Sequence, residues 1–537
     1  MAEIKIGEPF GMDVSVLANI NWNVALARVA HDLRSDFVYA PHLGLIYRQA
    51  GAEAVELLKS ELKSGTYLPG VPITIEVPKP FRISVKAKSK RLGPNYSRPG
   101  SILLPRDRLL YQALADEAAT VINTKTDAKR VFSHVLAEQD EPSMFLPTRE
   151  CWSNLQNALS QYGKPKSIKY VLKIDVANFF GSLNQHTLIN VLADSGYPKS
   201  LLSRLEAILI RYTGDRSSRG ILQGMYPSDL FGNFYLAPID RFLKEFGVFS
   251  ARYVDDIYIF LDSVDQADNL LRKLIPTLRT YDLGLNEAKS VIMPKAVLFA
   301  EEPDLDSLFA EAVDEIASQI ETKDFDSDYG FQAEWEEEPA DHEELELAAT
   351  KTLFDSISEY PGNEENIERF CLPLFSKAWS DYAISHVLEA FKKRPSMAQI
   401  YSAYCAKFLD QPDVVHNLCA LLGDETLWDW QKMWILAALS QIKKSNDDTV
   451  KLAFQILQDA NRHEALRAVA AIYVGRFGDH ARRKALVAGY GAVSNYIQAA
   501  IYYSSRRWPQ SERNNAKASW SGHGPLHNLV AIGLAKK

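Results

Sequence analysis

The run Arg252-Tyr253-Val254-Asp255-Asp256-Ile257-Tyr258-Ile259-Phe260 places two adjacent carboxylates inside an otherwise apolar stretch. Asp is depleted in strands, and an Asp-Asp pair ordinarily marks a turn or a solvated loop. The flanking Tyr, Val, Ile and Phe favour strands, so the pattern predicts a hairpin with the carboxylates at its tip. Carboxylates that close repel each other unless a cation sits between them. An all-oxygen ligand set of this kind suits Mg²⁺. Such a site needs a further carboxylate from elsewhere in the chain. In YVLKIDVANFFGSLNQHTL, residues 170–188, the first seven residues predict a buried strand with Asp175 at its carboxyl end. A helix N-cap is the alternative role for a lone Asp there. Two strands that each bring a carboxylate match two-metal phosphoryl transfer, in which the ions sit about 3.5–4 Å apart.

The segments that must position these carboxylates carry further motifs. LKIDVANFFGSL, GILQGMYPSDLFGNFYL, RYVDDIYIF and LGLNEAKS follow one another between residues 172 and 290. In order and spacing they resemble the palm motifs of reverse transcriptases. The resemblance implies that Asp175, Asp255 and Asp256 are the catalytic and metal-holding triad, with Tyr253 opening the Tyr-x-Asp-Asp box. Asp175 and Asp255 would bridge two Mg²⁺ ions (Mn²⁺ is the alternative), one activating a hydroxyl and one gripping the triphosphate. Asp256 would contribute charge and orientation. Phe180 falls at the aromatic gate that excludes a ribose 2′-OH, with core packing as its other reading. Gln223 and Gly224, followed by Pro227 and Ser228, would lie under the incoming nucleotide, where glycine allows a close backbone approach. Leu285, Asn286 and Lys289 match a Leu-Asn-x-x-Lys stretch whose lysine would neutralise the pyrophosphate leaving group. A surface role for Lys289 is equally compatible.

Upstream, YSRPGSILLPRDRLLYQALADEAATVI resembles the segment that precedes the palm in bacterial reverse transcriptases. There an Arg grips the triphosphate, and Arg98 is the nearest match, displaced by an insertion. Lys86, Lys88, Lys90 and Arg91 alternate so that the lysines share one side of a strand. They would face phosphates or solvent.

The net charge of −8 is unusual for a nucleic-acid enzyme until the chain is divided. Residues 301–347 hold 19 Asp or Glu and one Lys, which leaves +10 on the remainder. A cationic body with a detached acidic segment fits an enzyme that binds phosphates. The acidic segment is expected to be a solvated linker with a helix over 308–320, or a nucleic-acid mimic covering a basic groove. Beyond it the chain turns helical. WDWQKMWILAALSQI, HEALRAVAAIYVGRFG and SNYIQAAIYYSSRRW align on Ala437-Ala438-Leu439, Ala470-Ala471-Ile472 and Ala499-Ala500-Ile501, spaced by 33 and 29 positions. That spacing predicts stacked helical hairpins of the HEAT kind or a nonrepetitive helical domain. Arginines from Arg462 to Arg513, interleaved with Tyr496, Tyr502, Tyr503 and Trp508, predict a cradle for single-stranded nucleic acid.

The expected fold class is therefore an α+β right-hand polymerase, with fingers and palm, followed by an all-α HEAT-like repeat. Residues 1–95 would be N-terminal fingers, 96–300 the reverse-transcriptase fingers and palm, 301–350 the acidic helix and linker, and 351–537 the repeat. A palm fused to a large helical repeat resembles bacterial defence reverse transcriptases of the abortive-infection type. That implies anti-phage DNA synthesis from dNTPs, an oligomer, no external template, and a protein hydroxyl as primer with covalently attached single-stranded DNA as product. YPSD departs from the usual Pro-Leu-Ser-Pro order of the second motif, at the segment that handles template. Tyr39, beside Pro41 in a stretch of loop character, is the favoured priming candidate. Tyr47, Tyr496, Tyr502 and Tyr503 are the others. An RNA-templated enzyme of retron or intron type is the competing function, and a non-enzymatic nucleic-acid-binding scaffold is a second. Cys151, Cys371, Cys405 and Cys419 show no metal-ligand spacing and suggest reduced thiols. With no apolar run of membrane-spanning length and no signal-like N terminus, a cytoplasmic protein without membrane contact is expected.

Overall fold

The computed structural model describes residues 7–33, 36–79, 96–214, 218–300, 347, 350–359, 364–520 and 524–536. Lys86, Lys88, Lys90, Arg91 and the helix expected over 308–320 lie outside the described residues. The chain forms two compact units that interleave along the sequence. One comprises Met1–Ser35, Val55–Pro72 and Arg106–Asp314, and the other Asp36–Ala54, Ile73–Pro105 and Glu315–Lys537.

The first unit is built on an antiparallel sheet of β1 (Tyr170–Asp175), β2 (Phe249–Tyr253), β3 (Asp256–Leu261) and β4 (Val291–Pro294), in the order β2-β3-β1-β4. Register pairs Leu172 with Ile259 and Ile174 with Ile257, all buried on one face. The opposite face pairs Val171 with Phe260, Lys173 with Tyr258, and Asp175 with Asp256. This alternation follows from the two-residue period of a strand. Helix α1 (Thr148–Gly163) covers the apolar end of the second face. Its Leu155, Ala158 and Leu159 pack with Val171, Ala251 and Phe260. The acidic end of that face is left to the site.

Helices α2 (Phe179–Ser182), α3 (Gln185–Asp194), α4 (Tyr226–Tyr235), α5 (Ala237–Glu245) and α6 (Val264–Thr280) complete the region around the sheet, α5 against β2 and α6 against β3. Local chemistry sets their starts. The Asn184 side chain accepts the Thr187 N–H at the head of α3, and Ser263 accepts the Gln266 N–H at the head of α6. Each satisfies a donor that the first turn leaves without an intrahelical partner.

In the second unit, α7 (Glu364–Lys377), α8 (Ala398–Ala406), α10 (Asp429–Leu439), α12 (Glu464–Phe477), α14 (Asn495–Ser504) and α15 (Pro525–Ala535) form a row, each touching the next. Between them in sequence, α9 (Pro412–Leu422) lies on α10, while α11 (Asp447–Gln458) and α13 (His480–Gly489) lie on α12. The row ends on the Pro41–Gln49 helix, and the hairpin of Ile73–Pro78 and Ser97–Ile102 packs on α10 and α12. Among the described residues no helix is long and apolar enough to cross a membrane. All four cysteines carry free thiols.

Two expectations are corrected here. The aromatics of the predicted cradle, Tyr496, Tyr502, Tyr503 and Trp508, are buried core rather than an open stacking surface. The arginines beside them are engaged within the fold: Arg462 with Glu425 and Asp429, Arg482 with Asp447, Arg483 with Glu512, and Arg476 with the Ser440 carbonyl. Carboxylates distant in sequence supply the balance that the local count lacked.

Close helix contact in the row depends on small residues, as the Ala-Ala spacing suggested. A Cβ added at Gly475 on α12 would lie 2.4 Å from the Ser504 Cβ on α14. Gly475→Ala is expected to destabilise the protein by about 1–3 kcal/mol through overpacking. Gly489→Ala, where an added Cβ meets nothing within 4 Å, should leave Tm unchanged or slightly higher. Calorimetry of the two variants checks this, and equal Tm values would show that the contact is not tight.

Candidate active site

β1 ends on Asp175, whose partner across the sheet is Asp256, the first residue of β3. Tyr253 also pairs with Asp256, so Val254 and Asp255 form the two-residue turn between β2 and β3. The predicted hairpin is present, with Asp255 at its tip. Val254 sits at φ 53°, a left-handed conformation that is costly for a β-branched residue.

Asp175 is only 6% exposed and is wrapped by the segment after α6. Leu285 bridges Val176, and the Asn286 N–H donates to the Asp175 carbonyl at 2.8 Å. Asn286 Nδ2 donates to Asp175 Oδ2 at 2.9 Å, and Lys289 Nζ to Oδ1 at 3.1 Å. Lys289, expected at a leaving group, thus lies on a carboxylate. Burial pushes the Asp255 carboxyl up to about 6, and the nearby Asp175 and Asp256 charges push the same way. Its own backbone hydrogen bond and Lys289 pull it back.

The donor chemistry fits a hard divalent cation: two carboxylates from adjacent strands and one from the turn beside them, with negative charge that Lys289 only partly offsets. Among the described residues no three His, Cys, Asp or Glu side chains converge into a ready-made ligand cage. Asp175, Asp255 and Asp256 are the residues that would hold the ion.

The nucleotide-binding candidates of this unit lie on the adjoining turns. Phe180, half-buried on α2, packs its ring against Gly232 of α4, where an added Cβ would come within 2.8 Å of the ring. Its carbonyl accepts the Ile221 N–H at 3.0 Å, which ties it to the segment leading into Gln223-Gly224. Gly224 has φ 77°, so the turn before α4 requires glycine. Pro227 occupies the first turn of α4, and the buried Ser228 hydroxyl meets Tyr111 Oη at 3.0 Å.

Two candidates belong to the second unit. There the Arg98 guanidinium stacks on the Phe37 ring at 4.6 Å. Tyr39 also belongs there, and the expectation that it is accessible is corrected. It is 1% exposed and packs 5.8 Å from the Trp434 ring, because the helix that follows it closes the helical row. Tyr47 is buried for the same reason.

The motifs did not reveal the buried ion pair beneath the turn. Arg252 Nη2 lies 2.7 Å from Asp240 Oδ2, both nearly inaccessible. The available signal was an arginine inside the apolar run, since a buried guanidinium requires a carboxylate partner.

Removing the Lys289 ammonium should leave the Asp175 charge less balanced. A divalent cation would then stabilise the site more, since ligand binding to the native state raises Tm. Lys289→Ala is expected to show a larger Mg²⁺-induced rise in Tm after EDTA treatment than the wild type. An equal or smaller rise would remove Lys289 from the site's charge balance.

Residues 95–300 match the family described as Reverse transcriptase (RNA-dependent DNA polymerase). No curated protein matches the chain. Among solved structures it is similar to telomerase from Candida albicans in complex with a TWJ fragment of telomeric RNA, at 12% identity and TM-score 0.24, covering 76% of this chain and 57% of that one. It is also similar to apo telomerase from Candida tropicalis, at 11% identity and TM-score 0.30, covering 90% and 74%. The chain thus spans little more than half the length of the first of these. With the carboxylates gathered as described, residues 95–300 form the part of the chain that matches a reverse transcriptase domain.

Proposed function

We propose that this chain extends DNA from dNTPs at Asp175, Asp255 and Asp256. One observation carries the reading: Asp175 and Asp256 are partners across adjacent strands, with Asp255 in the turn beside them. In the reaction a hydroxyl oxygen bonds to the α-phosphorus of the nucleotide, the bond to pyrophosphate breaks, and the hydroxyl proton passes to water. Two Mg²⁺ ions, when bound, would lower the hydroxyl pKa and neutralise the triphosphate. Asp175 and Asp255 hold the charge that binds them, and Asp256 orients the pair. Lys289, already at the acidic cluster, supplies a cation for the departing pyrophosphate. Phe180 lies against the sugar, and Gly232 leaves room for its ring.

The finer parts of the proposal are synthesis without an external template, priming from a protein hydroxyl, self-association, and anti-phage defence by abortive infection. They rest on the resemblance of a palm joined to a long helical array. The row of alternate helices in the second unit supports a repeat of the HEAT kind. The burial of Tyr39 means that priming from it requires the segment before the Pro41–Gln49 helix to open. The RNA-templated alternative is favoured by the family description matched by residues 95–300.

One assay separates these readings. Purified protein is given labelled dNTPs or rNTPs, with and without an RNA template, and the products are denatured before and after protease. Asp255→Asn should reduce incorporation by orders of magnitude while folding survives, and near-normal synthesis would refute the site. Phe180→Ala should raise rNTP use relative to dNTP use, and an unchanged ratio would return Phe180 to core packing. Product that appears only with RNA would establish templating. Product that runs free of protein without protease treatment would end the priming idea. Protection of a bacterial host that persists in Asp255→Asn would separate defence from synthesis.

A further inference from the structure

The conformation at the hairpin tip does not hold itself. Val254 carries a positive φ that a β-branched side chain opposes, so the turn persists only if its surroundings over-determine it. Both peptide groups of Val254 are captured. Its N–H donates to Ser133 Oγ at 2.7 Å, and its carbonyl accepts from Arg252 Nη1 at 2.9 Å. Ser133 lies outside every motif and is 0% exposed.

The captors are themselves fixed. Ser133 Oγ donates to Asn233 Oδ1 at 3.1 Å, and Asn233 Nδ2 donates back to the Ser133 carbonyl at 2.8 Å. The same Oδ1 accepts from Arg252 Nη1 at 2.7 Å. Asp240 grips Arg252 through Nε at 3.0 Å and Nη2 at 2.7 Å. The backbone repeats the bond pattern: the Arg252 N–H donates to the Arg130 carbonyl at 2.7 Å, and the Phe132 N–H to the Arg252 carbonyl at 3.0 Å. Residues 130–133 therefore lie along β2 as a brace that ends on the turn.

We propose that Ser133 and Asn233 are positioning residues for nucleotidyl transfer, locking the Val254 backbone so that Asp255 stays beside Asp175. The proposal rests on the reading of Asp255 as a metal-holding carboxylate. Asn233 fixes the direction of the Ser133 hydroxyl, which leaves an oxygen lone pair aimed at the Val254 N–H. Without that acceptor, the turn relaxes toward negative φ and carries Asp255 with it. Ser133 and Asn233 also line a cavity of about 610 Å³, which gives an added methyl at Ser133 somewhere to go.

The test compares Ser133→Ala, Ser133→Thr and Ser133→Ala/Val254→Gly in the full chain. Three quantities are measured: hydrogen exchange of the peptide spanning 249–258, Mn²⁺ affinity by EPR, and steady-state dNTP incorporation. Ser133→Ala should exchange the Val254 amide about tenfold faster and lower kcat about tenfold, the loss of one buried hydrogen bond. The dNTP KM should stay near its wild-type value, and Mn²⁺ should bind several-fold more weakly. Ser133→Thr keeps the hydroxyl and should behave as wild type. Val254→Gly should recover most of the loss in the double variant, since glycine adopts positive φ without steric cost. Should Ser133→Ala fail to fold, Ser133→Cys, a weaker acceptor of similar size, carries the same comparison. Wild-type exchange and Mn²⁺ affinity in the variant, or losses that Val254→Gly leaves untouched, overturn the proposal. Exchange and Mn²⁺ binding are read without turnover, so a wild-type chain that incorporates no nucleotide refutes the proposed reaction separately.

Discussion

Mutual repulsion among Asp175, Asp255 and Asp256 is the constraint to which the first unit answers. Register places Asp175 opposite Asp256, and the turn adds Asp255 beside them. Burial raises the cost of ionising Asp255, and the neighbouring Asp175 and Asp256 charges add to it, as its upward shift records. The fold nevertheless holds Asp175 between Asn286 and Lys289 and keeps it nearly inaccessible.

The stiffness required comes from a second buried electrostatic pair a few ångströms below. Arg252 and Asp240 are both nearly inaccessible, so each depends on the other: a buried charge without its partner is strongly destabilising. Their mutual attraction yields little net stability against the desolvation of both groups. Geometry is what it provides, because a guanidinium with five donors can face Asp240, Asn233 and Val254 at once. The hairpin thus carries its anchor at Arg252 and its two carboxylates three and four positions later.

The second unit solves a packing problem rather than an electrostatic one. Its row of helices brings large aromatics inward, among them Trp430, Trp434 and Tyr473, while glycine and alanine set the contact distance. The N-terminal helix before Gln49 closes that row, so residues far apart in sequence share one core. Aromatic side chains that could have stacked on bases instead supply the apolar area that holds the helices together.

The acidic hairpin and the placement of its carboxylates were legible in the sequence because they depend on local pattern. An acidic pair within strand-forming residues, an Asp closing another strand, and a Gln-Gly turn that needs positive φ are written within a few positions each. The helical character of the C-terminal region was legible for the same reason, through its small-residue spacing. Other features were decided only by tertiary structure. The carboxylates opposing Arg462 and Arg482 come from segments some 30 residues away or more, so a local charge count suggested an open basic face. Tyr39 has loop-like neighbours, yet the helix after it docks at the end of the row and buries it. Ser133 belongs to no motif, since a hydroxyl becomes a clamp only when folding sets it 2.7 Å from a strained amide. Residue type determines what a side chain can do, and long-range packing determines whether anything lies within reach of it.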